Sequence, residues 1–237
     1  MSIDYSNQPD YFKINGVSSA TLNVWCDTPP VPPMAQRRYE TYDSGFDEDS
    51  TVPDDSYADI NYTLTFYTFD TADYNNTDIY NFFVNAKTLQ ISRLLGYFYK
   101  IRKVVSVEPA GSHNGKKIKY VAKLVLAPFK YNTDNPMTSI AASTTVNNNG
   151  NRFSKPLFKM TGSTIALTCN GQALNITLPE NKTIIIDSER LVVYEESSGT
   201  IILNAISGLY PMLGVGSNGI TITGAWNISI QKNERWY

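Results

Sequence analysis

Apolar and polar residues fall into short alternating runs along most of the chain, and one stretch alone carries a helical period. Tyr62-Thr63-Leu64-Thr65-Phe66-Tyr67-Thr68-Phe69 is rich in aromatic and β-branched residues and predicts a strand. Ile79, Phe82, Phe83 and Ala86 then recur at i, i+3, i+4 and i+7, which predicts a helix over about 77–87. Thr77 or Asn76 can cap it, Asp78 suits its positive end, and its apolar stripe is expected to lie against a sheet. Leu89–Leu94, Tyr97–Val107 and Lys117–Ala127 predict further strands, the last with Ile118, Tyr120, Ala122, Leu124 and Leu126 on one face. A weaker signal at Tyr11–Ile14 precedes Asn15-Gly16, a dipeptide favoured in tight hairpins, so Val17–Trp25 is expected to return as a strand. Residues 1–132 thus read as an antiparallel β domain with one packed helix.

Asn132 to Gly150 is polar and turn-rich, ends in Asn147-Asn148-Asn149-Gly150, and reads as a linker. Short apolar runs follow at Lys155–Met160, Thr164–Cys169, Ala173–Leu178, Thr183–Ile186, Leu191–Tyr194, Thr200–Leu203, Ile220–Thr223 and Trp226–Ile230. Turn signals separate them at Asn170-Gly171, Glu180-Asn181, Ser198-Gly199 and Asn218-Gly219. Many short strands at regular spacing without a helical stretch predict an antiparallel β-sandwich over 133–237. The expected fold class is mainly β.

The charge balance narrows what such a protein does. Twenty Lys and Arg against 22 Asp and Glu leave a net charge of −2, which argues against a chain that grips nucleic acid or an anionic membrane. With 42% hydrophobic and 18% charged residues the chain is globular, and 16 Tyr suit strands and contact surfaces. The charges are unevenly placed. Glu40 to Ala86 holds eleven acidic residues and no basic one; Lys87 to Lys130 holds ten basic residues and one acid, Glu108. Two adjoining segments of opposite sign are suited to match between neighbouring copies of the protein. The densest acidic part, Asp43 to Asp59, lacks calcium-loop spacing and reads as a long solvated loop.

Candidate chemistry is sparse. His113, Cys26 and Cys169 are the whole supply of the usual zinc ligands and have no ligand-like spacing. His113 lies in Ala110-Gly111-Ser112-His113-Asn114-Gly115-Lys116-Lys117, which reads as a turn tip. The cysteines are expected as free thiols of a reducing cytoplasm, with one long-range disulfide as the alternative. Asp187 with Glu189 and Glu195 with Glu196 are the closest approaches to a paired-carboxylate site and read as solvated turn carboxylates. There is no P-loop, no G-x-G-x-x-G after a strand and no G-x-S-x-G elbow. Gly214-Val215-Gly216-Ser217-Asn218-Gly219 precedes a strand rather than a helix, so it lacks the amide cluster that holds phosphate. Thr28-Pro29-Pro30-Val31-Pro32-Pro33 reads as a stiff connecting segment, with a polyproline ligand as the alternative. Tyr97 to Lys103 reads as a half-exposed strand at a protein interface rather than a stacking platform for single strands. No secretory signal opens the chain and no run is long and apolar enough to cross a bilayer. No catalytic, cofactor-binding or metal-binding residues are assigned, and the expectation is a non-enzymatic protein without cofactors.

The order of motifs in the second half carries the reading further. Ile186-Asp187-Ser188-Glu189 leads through Val193-Tyr194 and Leu203-Asn204 to Leu209-Tyr210-Pro211-Met212-Leu213. Gly216-Ser217-Asn218-Gly219-Ile220-Thr221-Ile222-Thr223-Gly224 follows, and the chain ends in Glu234-Arg235-Trp236-Tyr237. This string resembles the distal tail protein family of long-tailed (siphovirus) bacteriophages of Gram-positive hosts, where it closes a galectin-like sandwich. The first half is compatible, from Phe12-Lys13-Ile14-Asn15-Gly16 to Leu126-Ala127-Pro128-Phe129-Lys130-Tyr131. It departs where relatives carry a basic turn, since Asp43-Ser44-Gly45-Phe46-Asp47 is acidic, and the proline cluster has no counterpart. The resemblance implies a homo-hexameric ring built by residues 1–132 at the tail tip, or baseplate, of a virion synthesised in the host bacterial cytoplasm. Such a ring joins the tail tube protein to the tail-associated tail-tip protein, and in some relatives its galectin-like domains hold receptor-binding proteins. It implies no nucleic acid and no membrane partner. The alternative is a carbohydrate-binding module or cell-wall adhesin using the sandwich. Fold alone does not imply sugar binding, and with His113 outside this half the His/Arg/Asn cluster of a galectin-type site is not evident in the sequence around Trp226 and Trp236.

Overall fold

Asn15 and Gly16 take left-handed backbone angles, φ 51° and 81°, and turn strand β1 (Phe12–Ile14) into β2 (Val17–Ser18) in the computed structural model. That is the two-residue hairpin the dipeptide favours. The structure describes residues 11–22, 24–26, 29–42, 50–69, 76–113 and 117–237. It separates into two compact units, Met1–Lys130 with Tyr237, and Tyr131–Trp236.

The first unit continues with β3 (Val24–Trp25), β4 (Arg37–Tyr42), β5 (Ser50–Tyr57), β6 (Ile60–Phe69), helix α1 (Asn76–Val84), β7 (Thr88–Ile91), β8 (Tyr97–His113) and β9 (Lys117–Asn132). Its main sheet has the order β2-β1-β7-β8-β9-β6-β3, and its strand pairs are antiparallel. Alternation along β6 and β9 buries one face of each. Tyr62 lies opposite Leu124, Leu64 opposite Ala122 and Phe66 opposite Tyr120. The α1 stripe covers that face: Ile79 and Phe83 are buried, and the Phe83 ring stacks 5.7 Å from Phe66. The helix ends at Val84, three residues earlier than its period predicts. Asn15 accounts for this, because its amide donates to the Asn85 carbonyl at 2.9 Å and its oxygen accepts from the backbone of Lys87 and Thr88.

Three other expectations are corrected here. Val17–Trp25 is not one strand, since a 3-10 turn over Ser19–Leu22 interrupts it. Local hydroxyl bonds compete with the ladder there: Ser18 accepts from the Ala20 amide and Thr21 donates to the Ser18 carbonyl. Leu89–Leu94 likewise ends as a strand at Ile91. The expected acidic loop holds a strand, β5, paired with β4 as a two-stranded sheet of its own. Its charge count hid the strand propensity of Thr51, Val52, Tyr39 and Thr41. Asp43 to Asp49 lies outside the described residues.

The proline segment is tied into this unit. Pro29 and Pro32 are buried, and the Tyr62 hydroxyl donates to the Pro30 carbonyl at 2.8 Å. Burial drives the Tyr62 phenol well above its ordinary range, with Cys26 and Tyr99 adding to the shift; burial also raises Tyr99 and Tyr120. Each raised phenol is neutral in the folded chain and ionises first in the unfolded one, so stability is complete below about pH 10 and falls above it. Urea titrations between pH 8 and 11.5 should show a steep loss for the first unit above pH 10. A flat profile would contradict the burial of these phenols.

The second unit contains β10 (Thr138–Ser139), β11 (Ser143–Asn148), β12 (Leu157–Cys169), β13 (Gln172–Asp187), β14 (Val192–Glu195), β15 (Ile201–Ile202), β16 (Ile206–Gly208), β17 (Gly216–Gln231) and β18 (Arg235–Trp236). Three long strands replace six of the predicted short ones. β12 pairs with both β13 and β17, and its ladders shift register at Gly162/Thr164 and between Lys159 and Ala166. Both halves of each long strand feed one core: Phe158 and Met160 with Ile165 and Leu167, Leu174 and Ile176 with Ile184 and Ile186, Ile220 and Ile222 with Ile228 and Ile230. Strands that bend at bulges and pass from one layer to the other close a sheet over its own core, which is a sandwich with continuous corners.

Two turn signals are therefore corrected. Glu180-Asn181 lies within β13, in the stretch where its ladder with β12 shifts register, and Asn218-Gly219 lies within β17, where β11 pairs with both residues. Asn170-Gly171 and Ser198-Gly199 do turn the chain, with Gly171 and Gly199 at φ 82° and 67°. The expected linker is corrected too: β10 and β11 pair along β17, supplying its edge.

Candidate functional site

The carboxylate pairs singled out in the sequence each have a structural partner. Asp187 accepts from the backbone of Glu189 and Arg190, both at 3.0 Å, and closes the turn after β13. Glu195 accepts from Ser198, Ser197 and Lys182; those bonds, the Ser198 bond foremost, hold its carboxyl below the ordinary range. Glu196 pairs with Lys159. Cys26 and Cys169 are unbridged and buried, each in the core of its own unit. His113 ends β8, and its side chain lies outside what is described. Among the described residues no group of three His, Cys, Asp or Glu could hold a metal, and no helix is long and apolar enough to cross a membrane.

The motif string at the end of the chain is structural glue. Asn218 is buried; its amide donates to the Gly214 and Gly216 carbonyls at 2.9 and 2.7 Å, and its oxygen accepts from Asn170 at 2.7 Å. Asn148 bonds Arg152 and the Leu213 carbonyl in the same way. Arg235, 5% exposed, lies between the rings of Tyr131 and Phe153 at 5.7 and 5.8 Å and reaches Glu189 at 3.8 Å. Reading Asn218 as a turn residue missed this role, and in the sequence nothing but its place just before the Ile220-Thr221-Ile222-Thr223 alternation sets it apart. Asn218→Ala leaves buried carbonyls without a donor, and urea unfolding should show a loss of about 3 kcal/mol in the second unit. A loss below 1 kcal/mol would mean that water replaces the amide at no cost.

With chemistry accounted for, the surfaces remain. β7 reaches β8 only through Thr88↔Lys100 and Leu89↔Tyr99, and the Ile101 amide donates to the Lys87 carbonyl at 2.7 Å. Beyond Ile101 no described strand pairs with that margin of β8. Beside it runs an apolar groove of about 270 Å³ lined by Tyr80, Phe83, Val84, Val104 and Val107. The β4–β5 hairpin joins neither large sheet, and Met34 and Tyr39 at its approach are exposed. In the second unit, Leu191 takes a left-handed backbone angle, φ 55°, and stands exposed with Leu209 and Met212 around a groove of about 280 Å³.

A sheet-and-helix unit is followed by a unit of long β-strands around a core of its own, and this fold is similar to that of solved bacteriophage tail proteins. The chain superimposes on the Dit protein (gp 19.1) of phage SPP1, described as a paradigm of the hub adsorption apparatus in phages infecting Gram-positive hosts. The TM-score is 0.67 at 13% identity, over 96% of this chain and 99% of that one. It also matches a chain of the phage p2 baseplate in its activated, strontium-bound conformation, with TM-score 0.60 at 7% identity over 93% of this chain and 96% of that one. No family model and no curated protein sequence matches. The fold expected from the resemblance is the fold observed: mainly β and antiparallel, with one α-helix among the described residues.

Proposed function

We propose that this chain is a structural, non-enzymatic hub of a bacteriophage tail tip. The observation that carries the reading is a fold shared end to end with a tail-hub protein, 96% of one chain against 99% of the other. Residues 1–132 build a homo-hexameric ring that joins the tail tube protein to the tail-associated protein, and residues 133–237 form the galectin-like domain that receptor-binding proteins use. The exposed margin of β8 and the separate hairpin support a chain whose surface is completed by other subunits. Near-neutral charge fits a protein that contacts other proteins rather than nucleic acid.

Light scattering on the purified chain, with negative-stain imaging of the main peak, tests this. The expected result is a mass six times 26.5 kDa and rings with a central channel. A chain that stays at 26.5 kDa at every concentration up to 10 mg/ml, an amount chosen at roughly millimolar scale to favour any weak ring, would sink the ring.

A further inference from the structure

We propose that the sheet face around Trp226 in the second unit is a saccharide-binding site for a short, neutral, β-1,4-linked oligosaccharide, one sugar ring lying on the indole. The backbone presents that indole. The ladder between β12 and β17 passes from Lys159↔Ser229 to Thr161↔Trp226, so β17 has one residue more than its partner there. Asn227, within this bulge, takes a left-handed angle, φ 52°, which asparagine tolerates better than most side chains. Ile228 is buried and Ala225 packs against the core, while Trp226 and Asn227 are both exposed, side by side. Re-aiming a side chain is what a bulge of this kind does. Trp226 is 48% exposed, and no described residue stacks on its ring or accepts its indole N–H.

Polar groups continue the row. Residues directly opposite one another in antiparallel strands share a face. Trp226 lies opposite Thr161 and Thr161 opposite Thr183, and the Glu196 amide donates to the Thr183 carbonyl at 3.0 Å. One row therefore crosses β17, β12, β13 and the residue that follows β14. The Thr161 and Thr183 hydroxyls lie 2.9 Å apart, and the pair keeps one O–H and several lone pairs for a ligand. Lys159, two residues from Thr161 on the same face, pairs with Glu196, and their side chains are 39% and 40% exposed.

These groups select the ligand. In a β-linked glucopyranose or N-acetylglucosamine every ring substituent is equatorial, so axial C–H bonds form a flat apolar face that fits an indole. The hydroxyls then point sideways, toward the threonines and the Lys–Glu pair. Lys159 and Glu196 cancel each other's charge, so the row offers hydrogen bonds to a neutral chain without the excess of either sign that an ionic one needs. Strands stand about 4.8 Å apart, so the row from Trp226 to Glu196 spans about 14 Å, the length of a few β-1,4-linked units. A protein partner calls for an apolar centre. Here the indole is the one exposed large apolar residue of its row, and hydroxyls and an ion pair follow it. These neighbours come from strands far from Trp226 in sequence, which is why the residues adjoining it show no sugar site.

Isothermal titration of the full chain with cellotriose and with triacetylchitotriose tests this. At least one of them should give a saturable heat with a millimolar dissociation constant. Trp226→Ala should weaken that binding about tenfold or more and leave the melt unchanged, because the ring is exposed. Thr183→Val, which keeps the shape and removes the hydroxyl, should weaken it about threefold. With 5-fluorotryptophan in place of the three tryptophans, the sugar should shift one fluorine resonance, the one missing from Trp226→Phe. The site is wrong if neither trisaccharide binds, if Trp226→Ala binds as the wild type does, or if another tryptophan's resonance is the one that moves. Assembly is read separately by light scattering. Rings that bind neither sugar keep the hub reading and end this one; a monomer that binds does the reverse.

Discussion

Phe66→Ala should lower the stability of the first unit by about 4 kcal/mol, the cost of deleting a large ring from a closed core. Phe66 is fully buried and has three aromatic neighbours, Phe12, Phe83 and Tyr120, with centroids 5.6, 5.7 and 5.5 Å away. The three neighbours come from β1, α1 and β9, so the ring joins both ends of the sheet to the only α-helix among the described residues. Removing it leaves a cavity that rigid aromatic neighbours fill poorly. Phe66→Leu keeps most of the volume and should cost no more than about 1.5 kcal/mol. Calorimetry on the full chain reads this directly, because the two units have separate cores. The transition of the first unit should fall and that of the second should stay. If both fall together, the units unfold as one; if neither moves, the aromatic cluster is not the anchor of α1. A ring built by the first unit should lose assembly at the same temperature as that transition.

Gly224→Ala should cost the second unit about 3 kcal/mol or more, for two separable reasons. Gly224 has φ 71°, where a side chain is strained by about 1 kcal/mol or more. A Cβ there would also overlap the Thr164 carbonyl oxygen, which is backbone and has little freedom to give way. The opposed Gly162 has the converse contact, its missing Cβ pointing at the Gly224 carbonyl. Here the ladder between β12 and β17 shifts register, and two glycines let the backbones meet. Gly171→Ala separates the two contributions. It shares the left-handed angle, φ 82°, with open space around it, and should cost only about 1 kcal/mol. Equal losses for Gly224→Ala and Gly171→Ala in urea unfolding would show that backbone angle alone matters and that the close approach does not.

Much of this architecture is written in local pattern. The alternation of β6 and β9, the stripe of α1 and the turns at Asn15-Gly16 and Asn170-Gly171 depend on residues within a few positions of each other, so their periods and dipeptides declare them. The argument against a common zinc site rests on supply: a single histidine and two cysteines are a matter of counting. In the motif string from Ile186 to Gly224, Asn218 holds the Gly214 and Gly216 carbonyls, Gly224 allows the close approach of Thr164, and Asp187 closes the turn after β13, so each residue type answers a local need.

Other features depend on partners distant in the chain, and local pattern misreads them. Glu180-Asn181 has turn residues, yet β13 continues past it with a shift of register, because β12 pairs it on both sides of that point. Ser143–Asn148 has the composition of a linker and becomes a strand because β17 offers it a ladder. The helix stops at Val84 because Asn15, some seventy residues earlier, takes the hydrogen bonds of its last turn. The opposed charges of 40–86 and 87–130 are visible in the sequence, but which margin of which strand lies open is decided only when β7 ends its pairing at Leu89↔Tyr99. The sequence by itself determined the β class, the helical stripe from Ile79 to Ala86 and the scarcity of His and Cys, because periodicity and composition need no knowledge of distant contacts. The tertiary structure alone decided where strands continue, where they bend and which edges are left for a partner, because a backbone hydrogen bond in a sheet joins residues whose separation along the chain is unconstrained.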